Sequence, residues 1–91
     1  MREVNAVTYG KFKKEIKKLG LIYHYDDCFV SVYHTTYCWY PLAYVSKETL
    51  NRMMITSYIS LLTPVKSNKL LTLCYKLSRT PSDERGIVVL D

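Results

Sequence analysis

A change of hydrophobic period at Gly20 divides the chain and limits what it can fold into. Before it, Tyr9, Phe12, Ile16 and Leu19 recur at three- and four-residue steps, which places them on one stripe of a helix. The spacing predicts an amphipathic helix over Thr8–Leu19, with Thr8 as N-cap and Gly20 as the left-handed residue that ends it. Its opposite face carries Lys11, Lys13, Lys14, Lys17 and Lys18, with Glu15 the one acid. After Gly20 the pattern shortens toward alternation, and Thr, Val and aromatic residues take over, the composition of strands. One amphipathic helix followed by short strands cannot bury itself as a bundle. It implies an α+β domain in which helices cover one face of a small sheet.

The strand region reads as Leu21–Tyr25, a polar turn at Asp26-Asp27, Cys28–His34, a hairpin loop at Thr35-Thr36-Tyr37, and Cys38–Val45. Pro41 donates no ladder hydrogen bond, so it requires an edge or a bulge. Ser46–Leu62 has two readings. Leu50, Met53, Met54, Tyr58 and Leu61 fit one helical stripe, whereas Arg52–Ile55 reads equally as a strand with Thr56 capping a short helix. Thr63-Pro64 is a helix start, and Leu70, Leu73, Cys74 and Leu77 then give a helical stripe that Pro81 stops near Arg79. Lys66, Lys69, Lys76 and Arg79 occupy its polar face. Gly86–Leu90 is either a short added strand or a tail.

At 91 residues the chain is the size of a single domain, read here as 1–91. No apolar run approaches the roughly 18 residues of a membrane span, and the first 20 residues lack the apolar segment of a secretion signal. With the odd count of 3 cysteines, this favours a reducing compartment and free thiols, Cys74 being a core residue. The net charge of +5 sits at the ends: residues 1–20 carry +4, 21–65 carry −1, and 66–91 carry +2. Basic ends serve an acidic partner (nucleic acid or an acidic protein surface) or are simply a solvated face that keeps the protein soluble.

Three phrases in order resemble small accessory proteins from phages and prophages of Gram-positive Firmicutes. They are Lys18-Leu19-Gly20-Leu21, then Pro41-Leu42-Ala43-Tyr44-Val45-Ser46, then Tyr75 through Arg85 with its Thr80-Pro81 and Glu84-Arg85. The resemblance implies a helix, a β-hairpin, a third strand over Thr49–Ile55, a short helix and a long helix. It brings no catalytic residues. Proteins of this kind include anti-CRISPR inhibitors, so it implies a non-enzymatic protein in the host cytoplasm that binds a host macromolecule, with a type II CRISPR effector nuclease as the sharpest target.

Site chemistry read from the residues is sparse. His24, Cys28, His34 and Cys38 carry zinc-type donors. A strand over Cys28–His34, however, separates its ends by roughly 20 Å, beyond one ion. His34 and Cys38 lack the third orienting group of a nucleophile–base pair, and no paired glycines form a phosphate loop. No catalytic residue, metal or cofactor is assigned. The 9 tyrosines are more informative, with six of them between Tyr23 and Tyr44 beside Phe29 and Trp39. Tyr37, Trp39 and Tyr40, at or just after the hairpin turn, are the expected partner anchors. Lys13, Lys14, Lys17, Lys66 and Lys69 are the expected contacts to phosphates or acidic groups. A basic module binding nucleic acid is the alternative function, and a homodimer joined through the hairpin edge a further one.

Overall fold

The structure, a computed structural model, describes residues 7–86. Thr8 stands in extended backbone and its hydroxyl accepts the Lys11 N–H at 3.2 Å, which starts α1 (Tyr9–Lys18). Gly20, at φ +77°, turns the chain out of α1 in a conformation that a Cβ would strain. Four short strands follow: β1 (Ile22–Tyr25), β2 (Phe29–Tyr33), β3 (Ala43–Ser46) and β4 (Met53–Ile55). They pair antiparallel in the order β1-β2-β3-β4. A 3-10 turn (Ser57–Leu61) capped by Thr56 leads to α2 (Pro64–Arg79), where the Thr63 hydroxyl accepts the Lys66 N–H. The α+β reading with both helices on the sheet therefore holds.

The register sorts the strand residues into two faces. Tyr23, Tyr25, Val30, Val32, Ala43, Val45, Met53 and Ile55 share the face that packs on Phe12, Ile16, Leu70, Cys74 and Leu77. Ile22, His24, Phe29, Ser31, Tyr33, Tyr44 and Met54 point the other way and take no part in that core. There the sheet covers itself. Phe29 and Tyr44 meet edge-to-face at 5.0 Å, His24 and Tyr33 at 6.0 Å, and Ser31 is buried between them.

Several expectations change. The strand expected over Cys38–Val45 shrinks to Ala43–Ser46, because residues 34–42 form a loop that contains Pro41. The one expected over Cys28–His34 starts at Phe29, since the Asp26 carboxylate accepts the Cys28 and Phe29 N–H groups and holds Cys28 in the turn. The third-strand expectation over Thr49–Ile55 keeps only Met53–Ile55. Residues 47–52 form a turn in which Asn51 takes φ 63° and donates its N–H to the Ser78 carbonyl. The single-helix reading of Ser46–Leu62 fails, because Met53–Ile55 pair with Ala43–Val45. The strand read over Leu21–Tyr25 is present as Ile22–Tyr25 and pairs with β2, one strand more than the layout implied by the resemblance. The hairpin strands are thereby both interior, so a homodimer through the hairpin edge has no edge to use. Leu73, on the apolar stripe of α2, is half-buried and packs against the core beside the groove between the helices. The expectation for Gly86–Leu90 falls, beyond Gly86, outside the described residues.

Arg85 closes the core. It is 1% exposed and the bulkiest of the fully buried side chains. Its Nε donates to the Thr80 carbonyl at 2.8 Å, and a terminal nitrogen donates to the Ser46 carbonyl at 2.6 Å and to the Tyr9 hydroxyl at 3.3 Å. Its own carbonyl accepts the Tyr9 N–H, one of the donors that the first turn of α1 leaves over. One side chain thus ties α1, β3 and the end of α2 together.

Candidate binding surface

The β2–β3 connection, residues 34–42, is a shaped loop held at three places. Its far end is pinned by Leu42, which is fully buried, donates to Val32 O at 2.7 Å and accepts from Thr56 N at 3.0 Å. The Thr56 hydroxyl donates to Pro41 O at 2.7 Å. In the middle, the Tyr40 ring stacks on Tyr58 of the 3-10 turn, with centroids 5.2 Å apart and planes 6° from parallel. At the near end, His34 Nδ1 accepts the Thr36 N–H at 3.0 Å and the Tyr37 N–H at 3.3 Å. A ring nitrogen that accepts carries no proton, so these two bonds require the ring's hydrogen on Nε2.

This anchored loop holds its rings out. Trp39 is 76% exposed, Tyr40 59% and Tyr37 48%. Tyr37 bridges His34 and Trp39, at 5.5 Å and 6.2 Å between ring centroids. Tyr58, Leu61 and Val65, on the segment that follows β4, are exposed as well. Sequence reading missed Tyr58. The available signal is two stretches without any Asp, Glu, Lys or Arg, residues 28–46 and 53–65. The strand register brings the loop and the 3-10 turn to the same end of the sheet.

The lysines divide. α1 ends where β1 begins, and α2 begins just after the 3-10 turn, so both termini lie at the end of the sheet that carries the loop. Lys66 Nζ lies 3.9 Å from where a Cβ on Gly20 would stand. Lys69 and Lys18 line a groove between the helices with Asn68 and Thr72. Lys17 is exposed in the last turn of α1. Lys17, Lys66 and Lys69 therefore share a pole with Tyr37, Trp39 and Tyr40. Lys13 and Lys14 lie about a turn further back on α1, and Lys13 reaches over the Tyr23 ring at 5.9 Å. The acids gather at the other pole. Asp26 and Asp27 lie in the β1–β2 turn, Glu48 in the β3–β4 turn, and Asp83 and Glu84 beyond α2. Among the described residues, Glu15 is the one acid elsewhere, and it pairs with Lys18 at 3.3 Å.

Two groups carry shifted protonation equilibria, and neither is at the aromatic pole. The N–H groups of Phe29 and Cys28 hold the Asp26 carboxyl below its ordinary value. Burial pushes the Cys74 thiol up to about 12, so it behaves as a core hydrophobe. His24, Cys28, His34 and Cys38 are spread along the sheet: His24 pairs with Ser31, Cys28 is at the acidic pole, and His34 and Cys38 are in the loop. No helix among the described residues is long and apolar enough to cross a membrane. Compared with protein-family models, with curated proteins and with solved structures, the chain matches none.

Proposed function

We propose that this protein acts by binding rather than by catalysis, and that its contact surface is the aromatic pole centred on Trp39. One observation carries the reading: Tyr37, Trp39 and Tyr40 are solvent-exposed on a loop whose backbone is held at both ends and whose Tyr40 ring stacks on Tyr58. Exposed rings contribute nothing to the core, and a fixed loop has already lost the conformational freedom that binding would otherwise remove. Tyr and Trp are the residues that most often dominate interface energetics. The partner is a host protein with a recess for these rings and an acidic rim facing Lys17, Lys66 and Lys69, which hasten encounter more than they strengthen the complex. Together with the resemblance to phage accessory proteins, the reading becomes an inhibitor of a host defence nuclease, such as a type II CRISPR effector, working in the host cytoplasm. Affinity capture from a nuclease-treated Firmicute lysate, wild type against Trp39→Ala, tests it. A specific partner is retained by the wild type and lost, about thirtyfold in affinity, by the variant.

A second reading has its own observation: the stacked Tyr40–Tyr58 pair stands at the same pole as Lys17, Lys66 and Lys69. Rings beside cations suit single-stranded nucleic acid. Fluorescence anisotropy with a labelled oligonucleotide separates the two readings. Nucleic-acid binding falls linearly in log salt, and its absence at micromolar protein and near-physiological salt removes this reading.

A further inference from the structure

The three anchors of the loop differ in kind. Leu42 is held by backbone bonds and apolar burial, Tyr40 by ring stacking, and the Tyr37 end by an imidazole nitrogen. The first two are indifferent to mild acid, and the third is not. We propose that His34 is a positioning residue for the binding surface: its neutral ring fixes Tyr37 and Trp39, and its protonation releases them. The inference rests on the reading of this pole as the contact surface.

The chemistry follows from the inventory of the ring. Neutral imidazole has one acceptor nitrogen, whereas the imidazolium donates from both. Protonation at Nδ1 removes the acceptor for Thr36 N–H and Tyr37 N–H together and sets a third N–H against them. Both amides then turn to water, and Tyr37, the ring between His34 and Trp39, loses its backbone anchor. Among the described residues, no carboxylate stands in the stretches that form this end of the sheet. Residues 28–46 and 53–65, which form the loop, its flanking strands and the 3-10 turn beneath it, hold no Asp, Glu, Lys or Arg. The other titratable side chains in these stretches are tyrosines and the cysteines Cys28 and Cys38, which do not gain charge in mild acid. The charged side chains at the same pole include Lys17 at the end of α1 and Lys66 near the start of α2. Histidine is in general the side chain that changes charge between about pH 5 and 8, which sets the range to scan.

The test uses the free protein and needs no partner. Backbone amide exchange of Thr36 and Tyr37 is followed by NMR from pH 8 to pH 5 and expressed as protection relative to an unfolded chain. Protection of both amides falls about tenfold as His34 protonates, the equivalent of one ordinary hydrogen bond. The amide of Leu42 at the other anchor keeps its protection. His34→Asn places a carbonyl oxygen where Nδ1 stands and does not titrate, so it keeps both amides protected across the range. His34→Phe keeps a ring without an acceptor, and leaves both amides unprotected even at pH 8. His24→Gln removes the other imidazole and leaves the transition in place. Unchanged protection in the wild type down to pH 5, or a transition that persists in His34→Asn, overturns the proposal. Should His34→Phe shift the loop end of β2, His34→Asn alone still decides between the outcomes. Failure of Trp39→Ala to affect partner binding would instead count against the contact surface, and leaves this titration as it is.

Discussion

Replacing Arg85 by Met removes a cation from the centre of the fold while keeping a long apolar stem. The native guanidinium makes two short bonds to carbonyls, Thr80 at 2.8 Å and Ser46 at 2.6 Å, with a longer one to Tyr9. Bonds from a charged donor contribute about 1.5–3 kcal/mol each, so the two short ones amount to roughly 3–6 kcal/mol. Relief from keeping a charge out of water offsets part of this. No carboxylate among the described residues pairs with Arg85, so the substitution strands carbonyls rather than an opposite charge. The net cost of Arg85→Met is about 2–4 kcal/mol. A chain of this size has roughly 5–14 kcal/mol in all. At about 4–8 °C per kcal/mol, the melting temperature drops by at least ~8 °C. Arg85→Lys keeps the charge but not the planar fork that reaches Thr80 and Ser46 at once, and it recovers less than half of the loss. Urea titration followed by far-UV circular dichroism measures both, with the exposed Arg52→Met as control at less than about 0.5 kcal/mol. An Arg85→Met protein within ~0.5 kcal/mol of wild type refutes the view that this side chain joins α1, β3 and the end of α2.

Three further outcomes follow from the local chemistry. Cys28 and Cys38 are exposed and react with a thiol reagent in the native protein, whereas Cys74, buried and with its thiol pushed up to about 12, reacts only after denaturation, even at pH 9. Gly20→Ala, at φ +77°, destabilises by about 1 kcal/mol in the same urea titration although the added methyl has room. Asp26 is held below its ordinary value by two backbone N–H groups, so its stabilising effect is present above the unfolded-state value and is lost as pH falls through the lower folded one. Asp26→Ala therefore unfolds more easily than wild type near neutral pH, and the difference closes in acid; a gap that widened in acid would contradict the sign.

The helices were legible because each carries its own boundary chemistry. Thr8, Gly20, Thr63 and the Thr80-Pro81 pair mark the ends by side-chain oxygen, by tolerance of positive φ, or by a missing N–H, and all these depend on neighbours within a few residues. The strand limits were less legible, because they depend on partners far along the chain. Cys38–Leu42 has strand-like composition, yet Thr56 and Val32 take up the backbone of Pro41 and Leu42 and turn the stretch into a loop. Exposure of Tyr37, Trp39 and Tyr40 was readable from their place at a turn. The stacking of Tyr40 on Tyr58, 18 positions away, and the imidazole that holds Tyr37 were not, since periodicity says nothing about which rings meet. Arg85 follows directly on Asp83 and Glu84 in the sequence, so nothing local marks it as buried, and only the packing of three elements around it explains its burial.

The central claim is that the pole around Trp39, and no other face, meets the partner. Site-specific photocrosslinking in the host tests this most directly. A photoreactive phenylalanine analogue is placed in turn at Trp39, at Tyr58, and at Tyr75 on the exposed side of α2. The account predicts the same crosslinked host protein from positions 39 and 58 and none from 75. Crosslinking from 75 with silence at 39 and 58 contradicts it, as does crosslinking of equal yield from all three.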